Sequence, residues 1–195
     1  MRLAGGEPVD LGIAPDEPGA LAEAASQAKG ADMLVTLGGA SVGDHDLVQD
    51  VLADRGVGLD FWRIAMRPGK PLMFGRYGGV PLLGLPGNPV SSLVCGVIFL
   101  RPAIRQMLGL ADPAPPVLKG RLGTALKAND RREDYLRSRI ERSADGAVTL
   151  FPFSRQDSSM LSVMSRADAL TIRPAHAPEA KAGAEIEYIA LDGLA

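Results

Sequence analysis

The chain has 195 residues, of which 46% are hydrophobic and 23% are charged, and its formal net charge is -2. This composition is that of an ordinary globular protein, with room for one large domain or two modest ones. Because 21 basic residues are balanced by 23 acidic ones, we expect no nucleic-acid partner and no general attraction to a membrane surface. Any anion-binding site must be local.

Cys95 is the only cysteine, so an intramolecular disulfide is excluded and a buried thiol is expected. No stretch has the uninterrupted apolar length of a membrane helix, and the first ten residues lack the apolar core of a signal peptide. These features favour a cytoplasmic protein.

In the first half of the chain, short β-rich runs alternate with helical stretches. This rhythm predicts an α/β fold, a three-layer doubly wound sheet. The predicted strands are residues 9–13, 33–37, 59–66, 71–77 and 80–85, and the predicted helices are residues 19–29, 47–55 and about 88–108.

Three prolines in the segment 111–117 end this pattern, and we interpret the segment as an interdomain linker. It separates an α/β domain at residues 1–110 from a second domain at residues 118–195. Short alternating runs at 135–141, 147–151 and 184–191 predict that the second domain is small, β-rich and barrel-like.

The segment LPGNPVS, residues 85–91, predicts a buried strand that turns sharply into a helix. Gly87 frees the turn, Asn88 can cap the helix, and Pro89 suits the first helical position, where no amide hydrogen is needed. The remaining amides and the positive end of the helix dipole favour an oxyanion.

The segment GGASVGDHD, residues 38–46, directly follows the predicted strand at 33–37. Its glycines and Ser41 allow backbone amides to approach an anion beyond the carboxyl end of the strand. Asp46 can hold a hard cation such as Mg²⁺ or simply cap the helix that follows, and the residue alone favours neither. His45 has no second histidine or cysteine nearby and is interpreted as loop surface.

A third segment, RIAMRPGKP at residues 63–71, places Arg63, Arg67 and Lys70 around a Pro-Gly turn. By itself this is a solvated hairpin tip. Beside a glycine-rich loop and a capped helix start at the strand ends of one sheet, it becomes part of a phosphate-binding rim.

These three segments, in this order and spacing, resemble the molybdopterin molybdenumtransferases, the MoeA-type molybdenum insertases related to the C-terminal part of gephyrin. RREDYLRSRI at 131–140 and QDSSMLSVMSRADAL at 156–170 are similar to the C-terminal β domain of that family. The resemblance implies a Mog-like domain that binds adenylylated molybdopterin. It also implies Mg²⁺-dependent insertion of molybdate with release of AMP.

The resemblance assigns Asp46 a catalytic role linked to Mg²⁺. Pro86 and Pro89 match the prolines of the family's PGNP motif and would shape the pocket. Ser158 matches a serine that follows glycine in the family, where Asp157 stands here. The implied substrate-binding residues are Gly38, Gly39, Ser41, Gly43, Arg63, Arg67, Lys70, Pro86, Gly87, Asn88, Pro89 and Ser158.

The family's α/β domain begins with a strand and helix that have no counterpart here. We therefore expect a gap in the sheet, and turnover by this chain alone is doubtful. The resemblance suggests a homo-oligomer, a dimer. Two alternatives stay open: a molybdopterin adenylyltransferase, and a noncatalytic molybdopterin-binding scaffold.

Overall fold

The computed structural model describes residues 1–15, 17–38, 57–157 and 159–191. In the first half it contains helix α1 (Pro18–Ser26) and strands β1 (Leu34–Leu37), β2 (Val57–Trp62), β3 (Met66–Arg67), β4 (Met73–Tyr77) and β5 (Val80–Leu85). Helix α2 (Pro89–Cys95) continues through a π-helical turn, Gly96–Leu100, into α3 (Arg101–Met107). The second half contains β6 (Leu118–Leu122), β7 (Glu133–Arg142), β8 (Val148–Pro152), α4 (Leu161–Met164), β9 (Ala169–Arg173) and β10 (Glu185–Ala190).

Strands of the first half form a sheet in the order β1-β5-β4-β2, in which β1 and β5 are parallel. β4 and β5 form an antiparallel hairpin whose two turn residues, Gly78 and Gly79, both have positive φ. Such a turn matches the twist of the strands it joins. The strands predicted at 71–77 and 80–85 are thereby confirmed.

Helices cover both faces of this sheet. Along β5, Leu82 packs in a cluster with Ala25 and Ala28 beside α1, whereas Leu83 packs with Val90 of α2. Since neighbouring residues of a strand point to opposite faces, α1 and α2 lie on opposite sides of the sheet. The fold is the predicted α/β, three-layer arrangement, followed by a barrel.

The second half closes into a five-stranded barrel, because β7 pairs with β8 at one edge and with β9 at the other, and β6 and β10 complete the ring. β6 and β9 were not among the predicted strands. β3 comes from the first half of the chain but joins the barrel in parallel to β7, with Arg67 opposite Asp134.

Two strand predictions are wrong. Residues 9–13 form no strand, and Val9 and Ile13 are 78% and 99% exposed; none of the described strands lies beside them to accept backbone hydrogen bonds. The strand predicted at 59–66 ends at Trp62, because Arg63 has a φ of 66° and turns the chain toward the barrel.

The described residues leave a cavity of about 1780 Å³ between β1 and the irregular N-terminal segment. Among the helices of the described residues, one, Pro89–Met107, is long and apolar enough to cross a membrane by length and composition alone. Its residues Val90, Val94 and Cys95 are fully buried against the sheet and the barrel. A core helix passes the same test of length and composition.

Candidate anion-binding site

Gly38, the first residue of the glycine-rich segment, meets the helix start where β1 and β5 end. Gly38 donates its backbone N–H to the carbonyl of Leu85 at 3.0 Å, and a Cβ on Gly87 would lie 3.2 Å from the Cα of Gly38. The two segments therefore share one edge of the sheet, as expected for the carboxyl ends of neighbouring parallel strands.

The capping prediction for LPGNPVS is confirmed. Asn88 Oδ1 accepts hydrogen bonds from the backbone N–H groups of Val90 at 3.1 Å and Ser91 at 3.3 Å, and Pro89 occupies the first helical turn. Pro86 is buried, and its carbonyl accepts from the Ser92 hydroxyl. Because Asn88 already occupies these two amides, this motif contributes a rigid shape more than open donors.

A cavity of about 370 Å³ opens on the other side of the helix start. It lies between the RPGKP turn, the first turn of α2 and the barrel. Its lining includes all five residues of the turn, together with Met66, Ser91, Arg132, Gln156 and Asp157. We call this cavity the turn–barrel pocket.

Glycine is needed at the RPGKP turn. Gly69 has a φ of 127°, and a Cβ at this position would lie 2.7 Å from the Sγ of Cys95. Cys95 is fully buried, as predicted for the single thiol, and burial raises its pKa to about 12. The turn thus packs directly against α2, and that contact places Arg67 and Lys70 at the pocket.

Arg67 is held by carboxylates of the barrel. It forms ion pairs with Asp134 and, at 3.2 Å, with Asp130, and the hydrogen bond to Asp134 raises the pKa of the guanidinium. The Asp134 side chain is 7% exposed, whereas those of Arg67 and Asp130 are 44% and 46% exposed. Lys70 is exposed and, within the described part of the chain, has no carboxylate partner within ion-pair distance.

Arg63 does not line the pocket. Its guanidinium stacks 3.7 Å from the centre of the Trp62 ring. Cation–π stacking accounts for the position of this side chain. The structure therefore separates Arg63 from Arg67 and Lys70, although the three residues lie close together in the sequence.

Arg132 and Arg137 were not among the predicted site residues. Arg132 lines the pocket from the barrel side. Arg137 is 1% exposed, donates to the carbonyl of Asp157 at 3.1 Å, and has an Nε with no partner among the described residues. Burial lowers its pKa. The signal was present in the run RREDYLRSRI, but the sequence alone did not show which of its arginines lines the pocket.

The loop after β8 is fixed to β7 by Gln156, whose side-chain oxygen accepts from the N–H of Arg137 at 3.0 Å and whose nitrogen donates to the carbonyl of Arg137 at 3.0 Å. Asp157 Oδ1 accepts from the N–H and hydroxyl of Ser159. The Ser159 backbone hydrogen bond is the main cause of the lowered pKa of Asp157.

Five predicted site residues lie outside the described residues: Gly39, Ser41, Gly43, Asp46 and Ser158. Within the described ranges, no group of three or more His, Cys, Asp or Glu side chains could hold a metal ion. The link between Mg²⁺ and Asp46 therefore stays a prediction.

The chain folds as an α/β domain joined to a five-stranded barrel, and residues of both domains line the turn–barrel pocket. Residues 1–106 match the family model described as a probable molybdopterin binding domain, and residues 119–191 match that of the MoeA C-terminal region, domain IV. The chain belongs to the MoeA-type molybdopterin-binding family.

Among curated relatives, a molybdopterin molybdenumtransferase of Nostoc sp. is 40% identical over 141 residues, covering 70% of this chain and 32% of the relative. Molybdopterin molybdenumtransferase 1 of Mycobacterium tuberculosis is 30% identical over 192 residues, covering 94% and 45%. The chain thus spans less than half the length of these relatives.

Solved structures support the fold. A MoeA protein from Pyrococcus horikosii superimposes with a TM-score of 0.73 at 24% identity, over 96% of this chain and 44% of that one. A molybdenum cofactor biosynthesis protein from Pyrococcus furiosus gives the same TM-score at 18% identity, over 97% and 60%.

Proposed function

We propose that this chain acts in molybdenum cofactor biosynthesis by binding adenylylated molybdopterin and molybdate, as part of a molybdopterin molybdenumtransferase that releases AMP. The observation that supports it most is the turn–barrel pocket, in which Arg67, Lys70 and Arg132 converge next to the helix start of the molybdopterin-binding domain. Guanidinium and ammonium groups are the donors that tetrahedral oxyanions prefer.

In this proposal the protein mainly positions and neutralises its substrates. Molybdate and a phosphate-bearing pterin are both anions, so bringing them together requires fixed positive charge at the point of contact. Lys70 supplies an exposed point charge, and the buried carboxylate of Asp134 orients Arg67. The proposal assigns the pterin to the edge formed by Gly38 and Gly87 and the molybdate to the turn–barrel pocket.

The test is titration of the full chain with sodium molybdate by calorimetry, comparing Lys70→Ala with Lys181→Ala, an exposed lysine in the barrel. Loss of a charged hydrogen-bond donor is expected to weaken molybdate binding roughly tenfold in Lys70→Ala, whereas Lys181→Ala should bind like the parent. Equal affinity in the two variants would remove Lys70 from the site.

The activity itself is tested by incubating the chain with adenylylated molybdopterin, molybdate and Mg²⁺ and measuring AMP by chromatography. Molybdate-dependent AMP release supports the transferase. Binding of the nucleotide without release supports the noncatalytic module, and ATP-dependent adenylylation of molybdopterin supports the adenylyltransferase. An Asp46→Ala variant with unchanged AMP release would refute the proposed role of Asp46 with Mg²⁺.

The cytoplasmic location, the dimer and the domain limits at 110 and 118 belong to the same proposal. So does an incomplete sheet, for which the cavity beside β1 among the described residues provides support. Size-exclusion chromatography with light scattering measures the assembly, and a cooperative, fully stable monomer would contradict an incomplete sheet.

A further inference from the structure

One carboxylate oxygen connects the two arginines of the turn–barrel pocket. Asp130 Oδ2 lies 3.2 Å from Nη1 of Arg67 and 3.2 Å from Nη2 of Arg132. Arg67 comes from the turn and Arg132 from the barrel, and both line the pocket. Asp130 thus occupies one Nη group of each guanidinium, a donor through which the same arginine could bind an oxyanion.

The loop around Asp130 holds this carboxylate in place. Asp130 Oδ1 accepts from the backbone N–H of Arg132 at 2.9 Å, and this hydrogen bond is the main cause of the lowered pKa of Asp130. The backbone N–H of Asp130 donates to Asn129 Oδ1 at 2.9 Å, and its carbonyl accepts from the N–H of His176 at 2.7 Å. The carboxylate is therefore ionised and preset between the two guanidiniums at neutral pH.

Asp134 and Asp130 contact Arg67 in different ways. Asp134 is buried and pairs with Nη2, whereas Asp130 is about half exposed and pairs with Nη1. An exposed ion pair in water is weak and exchangeable. Asp134 can therefore keep Arg67 in position while Asp130 gives way to another anion.

The balance of charges around the pocket also favours a role for Asp130 as a competitor of an entering anion. The three cations Arg67, Lys70 and Arg132 are matched by Asp130, Asp134 and Asp157, which line the pocket or pair with its arginines. An entering anion meets little net positive charge until the Asp130 carboxylate withdraws.

We propose that Asp130 is a built-in competitor that sets the affinity of the turn–barrel pocket for oxyanions; this rests on the function proposed above. A tetrahedral oxyanion binds by replacing Asp130 on Arg67 and Arg132. The free energy needed to separate Asp130 from the two guanidiniums is subtracted from the binding free energy of any anion that enters the pocket.

The experiment measures the binding of sodium molybdate and of sodium perchlorate to the full chain by calorimetry, at low ionic strength and pH 7.5. The variant is Asp130→Asn, which keeps an oxygen for the N–H of Arg132. The matched control is Asp145→Asn, which removes an equally exposed carboxylate that also accepts hydrogen bonds within its own turn, from Ser143 and Ala147.

Asp130→Asn is expected to bind molybdate roughly three- to tenfold more tightly than the parent. Perchlorate binding is expected to improve as well, because the free energy of displacing Asp130 is removed for either anion. Asp145→Asn should match the parent for both anions. A merely structural role for Asp130 predicts weaker binding in Asp130→Asn, so a gain separates the two interpretations.

Three outcomes of the molybdate titration decide whether Asp130 is a competitor. Tighter binding of molybdate by Asp130→Asn than by the parent and by Asp145→Asn supports the proposal. If the parent binds molybdate and Asp130→Asn binds it equally or more weakly, the competitor role is overturned while the proposed function stands. If neither protein binds molybdate at millimolar concentration, both the proposed function and this inference fail.

Discussion

Gly38 and Gly87 pack backbone against backbone where two neighbouring parallel strands end, and a Cβ on Gly87 would lie 3.2 Å from the Cα of Gly38. Gly38 has a φ of 87°, so it cannot readily accept a side chain of its own. The contact between the two loops thus depends on glycine on both sides.

Gly87→Ala is expected to push the two loops apart by a few tenths of an ångström. We expect a loss of about 1 kcal/mol in the free energy of unfolding, typical of mild overpacking, together with weaker binding of adenylylated molybdopterin. Urea denaturation and a binding titration measure the two effects. Gly96→Ala is the matched control, because no atom lies within 4 Å of its Cβ position, and unchanged binding in Gly87→Ala would contradict the proposed pterin edge.

Asp134→Ala is expected to destabilise the chain by about 1–3 kcal/mol, because it leaves Arg67 without its buried partner. The lower part of this range applies, since Arg67 is 44% exposed and water can solvate its guanidinium. Chemical denaturation followed by circular dichroism gives the value. In the control, Glu185→Ala removes the exposed ion pair with Lys119, and a midpoint shift as large as that of Asp134→Ala would count against the role of burial.

Gly69→Ala is expected to destabilise more than any other substitution in the RPGKP turn. The backbone at Gly69 has a φ of 127°, and the new methyl group would meet the Cys95 sulfur at 2.7 Å, which together cost about 2–4 kcal/mol. In the Cys95→Ala background the steric part should vanish and only the backbone strain should remain. Thermal unfolding of the parent, Gly69→Ala, Cys95→Ala and the double variant measures the difference. If the two single losses of stability simply add in the double variant, the sulfur is not the obstacle.

Cys95 should make stability fall at alkaline pH. Burial raises its pKa from the ordinary 9.0 to about 12, so between these values the unfolded chain loses a proton that the folded chain keeps. The free energy of unfolding should then decrease by about 1.4 kcal/mol for each pH unit above about 9. Denaturation series from pH 8 to 10.5 should show a steeper decline for the parent than for Cys95→Ala, and parallel slopes would disprove the assignment.

The hairpin of β4 and β5 and the cap at Asn88 were predictable because their signals are local. Gly78-Gly79 between two apolar runs specifies a tight turn, and an asparagine before a proline specifies a helix start. The strand predicted at residues 9–13 failed because alternation alone does not provide a neighbouring strand. Local pattern predicts an element only where its partner is also present.

Only the part of the pocket that the RPGKP turn forms was predictable, because the barrel residues that form the rest lie far away in the sequence. Arg67 meets Asp130 and Asp134 across more than sixty residues, and no local spacing indicates that contact. Conversely, Arg63 stands four residues before Arg67 yet stacks on Trp62. The direction of each arginine side chain depends on the backbone φ and on which strands pair. A cluster of charges in the sequence reveals neither.

In the proposed function, the two-residue strand β3 gives the barrel a part in substrate recognition. Through Met66 and Arg67 it aligns the turn with β7, so the barrel supplies the counter-charges that tune a pocket whose cations partly belong to the other domain. A chimera that exchanged only the barrel for that of a relative would alter anion preference without changing a single residue of the PGKP turn. Recognition in this architecture can therefore diverge by domain exchange as well as by point substitution.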